Sequence, residues 1–163
     1  MTQTLYPRLW LIGVLAWLAS APPAAGFTFS DGTSVSCIVH GETVPEYSPP
    51  PGTEAVNFTG RTVKVGSSYQ IVWNAQKLAA LPAPVHDYLF FHECAHAKVP
   101  TTDEVQANCA GLIDMRAAGR AGFAVETKLG AFYGATNDYW KNTLRCANAA
   151  AANPGAAGSS PAR

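Results

Sequence analysis

Three observations predict an α+β domain in which a small antiparallel sheet precedes a set of helices. Residues 61–65 (RTVKV) and 69–73 (YQIVW) are rich in β-branched and aromatic side chains, and Gly66, Ser67 and Ser68 separate them, which reads as a hairpin. Val85, Leu89, His92 and His96 follow Pro84 at helical spacing and share one face. Thr101, Thr102, Asp103 and Glu104 then have the composition of a helix start, for a helix that runs to about Gly119.

The remaining elements follow in chain order. Residues 27–44 hold short candidate strands, such as 34–39 (SVSCIV). Residues 45–54 (PEYSPPPGTE) contain four prolines and a glycine and read as a loop. Asn74 is placed to cap a short helix through Ala80, which Pro82 and Pro84 stop. The main helix starts near Pro84, because a proline in the first turn sacrifices only an N–H that has no helical partner. It ends before Pro100, which cannot donate a helical hydrogen bond. A further helical stretch is expected around 138–149. Residues 148–163 are Ala, Gly, Ser and Pro with little to bury, which predicts a disordered tail. There is no internal repeat.

The first 26 residues stand apart. Arg8 ends a short polar start, 9–19 (LWLIGVLAWLA) is an unbroken apolar run, and 20–26 (SAPPAAG) is small and proline-rich. That order is the order of a secretory signal peptide, with cleavage expected after Gly26. Eleven apolar residues fall short of the roughly 18 that a membrane span needs. The mature domain is therefore expected over 27–147 with a tail to 163, secreted or periplasmic, and without a membrane partner once the signal is removed. Without Arg8 the chain carries 10 basic and 11 acidic side chains, a net charge near −1, and no basic stripe. That excludes the usual electrostatic footprint of a nucleic-acid partner. Four cysteines remain, Cys37, Cys94, Cys109 and Cys146. An even count in an exported chain favours disulfides, with three connectivities open. The absence of any CxxC pair argues against a cysteine-type zinc site.

The chemical signal is His92-Glu93-Cys94-Ala95-His96, an HExxH motif. On a helix, residues 92 and 96 lie about 40° apart and one turn along the axis, so both imidazoles can reach one ion. Glu93 lies about 60° from His96, at the edge of the same face, where it can take a proton from water without being the nearest ligand. Two zinc ligands and a general base result. A shuffle of this composition, with four histidines and six glutamates, gives the motif roughly 0.3% of the time. Chance is also disfavoured locally. Both histidines continue the Val85–Leu89 stripe, and buried polar groups need partners, which a metal supplies. A catalytic zinc site usually has three protein ligands plus water. Residues 99 and 102 are Val and Thr, so no third histidine follows the motif, and His86 lies about 120° from His92. The next candidates are the carboxylates Asp103 and Glu104. Cys94, about 200° from His92, is opposite the metal and is a bridge or core cysteine.

HExxH followed by Glu104-Val105-Gln106-Ala107-Asn108 resembles the HExxH…ExxA(D/N) pattern of the gluzincin zinc metallopeptidases, most closely the small single-domain members called minigluzincins. Asn74-Ala75-Gln76-Lys77-Leu78, Leu81-Pro82, Phe90-Phe91 before the motif, and Cys109 directly after Asn108 carry the likeness, which covers about residues 61–115. The resemblance implies a small sheet over the active-site helix 85–98, with the glutamate helix 104–119 alongside. It implies one zinc ion held by His92, His96 and Glu104, with Glu93 as the base. Asn108 stands where many members have Asp; it can hydrogen-bond a ligating histidine but brings no charge. The strand that pairs with extended peptide would be 69–73. Two disulfides would follow, Cys94–Cys109 across the turn and Cys37–Cys146 joining the ends.

The expected activity is hydrolysis of a peptide or protein substrate. Zinc would polarise the carbonyl and acidify a water, and Glu93 would move that water's proton to the leaving amine. Glu104 has a plainer alternative as the closing residue of a Thr101 capping box. A catalytically silent zinc-holding domain that binds a protein partner shares every ligand. Tyr133, Tyr139 and Trp140 are capable of polarising a carbonyl, but such aromatics are more often core. Asn57-Phe58-Thr59 is a glycosylation sequon where the source organism glycosylates.

Overall fold

A computed structural model describes residues 26–50, 52 and 57–153. The expected signal segment up to residue 25 and the end of the tail, 154–163, lie outside the described residues. The fold is α+β, as the sequence predicts, and its elements run β1 Phe27–Thr28, β2 Ser34–Val35, β3 Ile38–Val39, β4 Glu42–Thr43, β5 Glu46–Tyr47, β6 Gly60–Val65, β7 Ser68–Trp73, α1 Ala75–Ala79, α2 Ala83–Lys98, α3 Glu104–Ala117, α4 Phe123–Tyr133 and α5 Asp138–Ala152.

The hairpin β6–β7 forms where β-branched and aromatic residues are dense, and it pairs from Gly60↔Trp73 to Val65↔Ser68. Its turn is the two residues Gly66 and Ser67, with Gly66 at φ +62°, a left-handed conformation that glycine adopts without a Cβ clash. Ile71 and Trp73 alternate into the core. β7 is the middle strand. β5 pairs with it in parallel on one side and β6 antiparallel on the other. Two expectations are corrected here. The proline-rich stretch 45–54 is not wholly loop, because Glu46 and Tyr47, between Pro45 and the run Pro49–Pro51, pair with Ile71 and Val72. Residues 69–73 are not an edge strand; the open edge beside α2 belongs to β6.

Asn74 caps α1 as expected, accepting from Lys77 N at 3.0 Å. α2 carries ten buried residues, including His92 and Glu93, and packs against the sheet, α3 and α4. α3 approaches α2 through Gly111, where a Cβ would lie 2.9 Å from both His92 N and Phe91 C. α4 has no counterpart in the sequence reading. It buries only Leu129 and Gly130, and it begins at Gly122, which offers no side-chain cap. A bidentate ion pair from Arg116 to Glu126 at 2.8 and 2.7 Å, and a bond from Arg116 to Asn148 at 3.0 Å, tie α3 to α4 and α5. α5 continues to Ala152, so the expected tail from 148 begins helical. One apolar cluster runs from Phe27 to Ala147 and joins the sheet to the helices.

Two disulfides are present, but their pairing differs from the expected one. Cys37 joins Cys94, and Cys109 joins Cys146. The cause is helix phase. The face of α2 that meets α3 carries the histidines, and Cys94 points to the other side, where β3 and its neighbours bring Cys37. Cys109 faces α5 from the far side of α3. Nearness across the α2–α3 turn does not overcome this phase. Two disulfides point to an oxidising compartment. Among the described residues, no helix is long and apolar enough to cross a membrane.

Candidate metal centre and cleft

α2 brings the motif together through its pitch alone. His92 Nε2 and His96 Nε2 lie 3.2 Å apart, with ring planes at 88° and centroids 4.7 Å apart. The His96 tautomer is determined by its other nitrogen. Nδ1 lies 2.8 Å from Thr101 O, and a carbonyl only accepts, so Nδ1 carries the proton and Nε2 keeps its lone pair for a ligand. The α2–α3 turn therefore does two things: it ends the helix before Pro100 and supplies the carbonyl that orients His96.

Glu104 is the first residue of α3. Its Oε2 lies 3.2 Å from His92 Nε2 and 3.7 Å from His96 Nε2. A hydrogen bond with His92 is the largest influence on this carboxyl. It holds Glu104 below the ordinary carboxylate range against partial burial, with help from the charge of either ring when protonated. The capping-box alternative is not realised. Asp103 is the cap, its Oδ1 accepting from Val105 N at 2.8 Å and Gln106 N at 3.0 Å, while Thr101 Oγ1 accepts from Asp103 N at 3.0 Å. Asp103, the other candidate carboxylate, is exposed and stands outside the ligand group; it holds the end of α3 that carries Glu104. His92, His96 and Glu104 thus form a group whose ligand atoms all lie within 4.8 Å of one another and could hold a metal ion.

Glu93 is buried beside them. Thr62 on β6 reaches it, with Oγ1 2.8 Å from Glu93 Oε2 and 2.7 Å from Glu93 O. Gly60 makes this approach possible, since a Cβ there would lie 2.5 Å from the Trp73 ring and 3.2 Å from Glu93 Cγ. Thr62 has no signal in the sequence, because its pairing with Glu93 spans 31 residues and depends on where the sheet docks.

Asn108 does not hydrogen-bond a histidine. The Tyr88 hydroxyl lies 2.9 Å from its Oδ1 and 3.0 Å from its backbone oxygen. Asn108 Nδ2 and His92 Nδ1 are both buried, without a hydrogen-bond partner among the described residues. His86 points elsewhere, as expected, and its Nδ1 lies 2.9 Å from Asp87.

Thr62, His92, Glu93, His96, Glu104 and Asn108 line a cleft of about 900 Å³ between β6 and the α2–α3 turn, which Tyr133 and Tyr139 also enter. Tyr133 comes from the end of α4 and stacks on Trp140 at 5.5 Å; Trp140 itself is core. Burial pushes the hydroxyls of both cleft tyrosines up, and the neighbouring Tyr139 and Glu93 raise Tyr133 further. Both stay protonated donors at neutral pH. No family model matches the chain, and no curated protein or solved structure matches it either.

Proposed function

We propose that this chain is an exported, zinc-dependent metallopeptidase of gluzincin type. The observation that carries the reading is the donor set. Zinc bonds imidazole nitrogen at about 2.0–2.1 Å and carboxylate oxygen at about 2.0–2.2 Å in a tetrahedral arrangement, whose ligand atoms stand about 3.3–3.5 Å apart. The three separations here, 3.2, 3.2 and 3.7 Å, match that tetrahedron with one corner left over. Three protein ligands and an open corner are the pattern of a catalytic site, whereas a structural zinc site fills all four.

A zinc ion held there supplies a Lewis acid for the scissile carbonyl and lowers the pKa of water to about 7. The chain's own residues do the rest. Thr62 engages one oxygen of Glu93 and leaves the other to take a proton from the attacking water and deliver it to the leaving amine. The protonated hydroxyls of Tyr133 and Tyr139 are placed in the cleft to donate to the oxyanion that forms. The hairpin supplies the substrate edge. Because Val65↔Ser68 closes a two-residue turn, alternation along the ladder turns the N–H and C=O of Gly60, Thr62 and Lys64 away from β7, towards the open side. An extended peptide can add there as a fourth strand, beside Glu93.

The alternative is a catalytically silent zinc-holding domain that binds a protein partner. Asn108 favours it, since it spends its oxygen on Tyr88 and leaves His92 without the carboxylate support that strengthens a ligating histidine. Cleavage of a mixed peptide library by the zinc-loaded protein decides between them. Glu93→Gln keeps the zinc and should lower turnover by about 10²–10⁴, the usual contribution of a general base. A wild type that holds zinc and cleaves nothing would leave the silent reading standing.

A further inference from the structure

The cleft is unevenly charged. Arg61, Lys64, Glu93 and Glu104 line it. Both carboxylates belong to the metal centre, where a divalent ion would balance them. Nothing comparable balances the two cations. Among the described residues neither has a carboxylate within ion-pair distance, whereas Lys98, Arg116 and Arg120 each do. Arg61 and Lys64 are exposed, and the Arg61 guanidinium lies 5.7 Å from the Phe58 ring centroid. With the centre neutralised, a charge of +2 is left on the β6 rim.

The position of Lys64 is set by strand geometry. It follows Thr62 by two residues and projects to the same face, the face from which Thr62 reaches Glu93. At about 3.3 Å per residue, it stands about 6.6 Å further along the cleft. Its cross-strand neighbour is Tyr69, which lines the same cleft.

We infer that the β6 rim selects acidic peptides: a segment laid along Gly60–Val65 carries Asp or Glu opposite Lys64, two residues from the position opposite Thr62, and Arg61 adds a second attraction. The inference rests on the peptidase reading for placing a peptide on β6, and it names the substrate class of that site. Directly opposed side chains on neighbouring strands approach to about 4.5–5.5 Å at Cβ, within reach of a lysine and a glutamate.

The test is binding, measured apart from cleavage. Zinc-loaded Glu93→Gln protein is titrated by fluorescence anisotropy with labelled extended peptides in which one Glu, Gln or Lys is moved through each position. At low salt the best Glu peptide should bind about two- to fivefold tighter than its Gln counterpart, the range of an exposed ion pair, and Lys should be worst. The preference should fade as salt shortens the screening length to about 3 Å at 1 M. Lys64→Glu should reverse it in favour of Lys peptides. Equal affinities for the three peptides, a preference that survives Lys64→Glu combined with Arg61→Glu, or no peptide binding up to millimolar concentration would each overturn the inference. Cleavage by the wild type is scored separately. Charge-selective binding without cleavage sinks the peptidase reading alone, and cleavage without charge selectivity sinks this inference alone.

Discussion

Gly111→Ala tests how closely α2 and α3, which carry His92, His96 and Glu104, must approach. An added Cβ would sit 2.9 Å from His92 N and Phe91 C and 3.0 Å from His92 Cα, all of them backbone atoms of α2. Carbon contacts prefer about 3.5–4.0 Å, so α3 must retreat by about 0.5–1 Å. Alanine gains about 0.8–1 kcal/mol of helix propensity over glycine, and overpacking costs about 1–3 kcal/mol. Net destabilisation should therefore be small, between about zero and 2 kcal/mol. The metal centre should suffer more. Glu104 moves with α3, and coordination distances tolerate only about 0.2 Å. Zinc affinity should fall at least about tenfold, the lower end of what losing an outer support costs a metal site. Competition against a chelator of known affinity, alongside thermal melts of the same samples, reads both quantities. A variant that melts higher than wild type and binds zinc equally well would refute the close approach of α2 and α3.

Three further outcomes are expected. Asp103→Ala removes the α3 cap, so it should cost about 0.5–2 kcal/mol in denaturant melts while stoichiometric zinc is kept. Non-reducing peptide mapping should find Cys37–Cys94 and Cys109–Cys146, and Cys109→Ser with Cys146→Ser should cost about 2–5 kcal/mol by freeing α5 from α3. Glu46, buried and bonded by Trp73 Nε1 at 2.7 Å, has its carboxyl pushed up from its ordinary 4.5, chiefly by burial. The folded state therefore holds this proton more tightly than the unfolded chain. The stability it gives is complete below 4.5 and is lost as pH rises through the folded-state value. Relative to Glu46→Gln, the wild type should melt progressively lower as pH rises across that window, and parallel melting curves for the two proteins would contradict the assignment.

The local parts of this molecule are legible in its sequence, and the docked parts are not. His92, Glu93 and His96 come together through the pitch of one helix. Glu104 lies one short turn away, so the chain places it next to them under any reasonable path. Asn74, Pro84 and Pro100 act on their own neighbours, and the boundaries they imply hold. Thr62 reaches Glu93 only because β6 lies along α2, a matter of how the sheet docks. The same holds for β5. Its two residues become a strand because they pair with the side of β7 that β6 leaves open, which makes 69–73 the middle strand instead of the expected substrate-pairing edge. Two disulfides form as expected, but their pairing differs for a related reason, since Cys94 is near Cys109 in chain distance but on the wrong side of its helix. α4 is hidden because it buries so little of itself, and its contacts with α5 are long-range ones: Tyr133 stacks on Trp140, and at Gly130 a Cβ would meet Trp140 Nε1 at 2.9 Å.

The most direct test of the central claim is a zinc titration of the wild type beside Glu104→Ala, at matched fold by circular dichroism. Three ligands converging on one ion predict one zinc per chain in the wild type and a loss of affinity of at least about a hundredfold in the variant, since the carboxylate is one of only three protein donors. A Glu104→Ala protein that still binds one zinc with wild-type affinity would contradict the account.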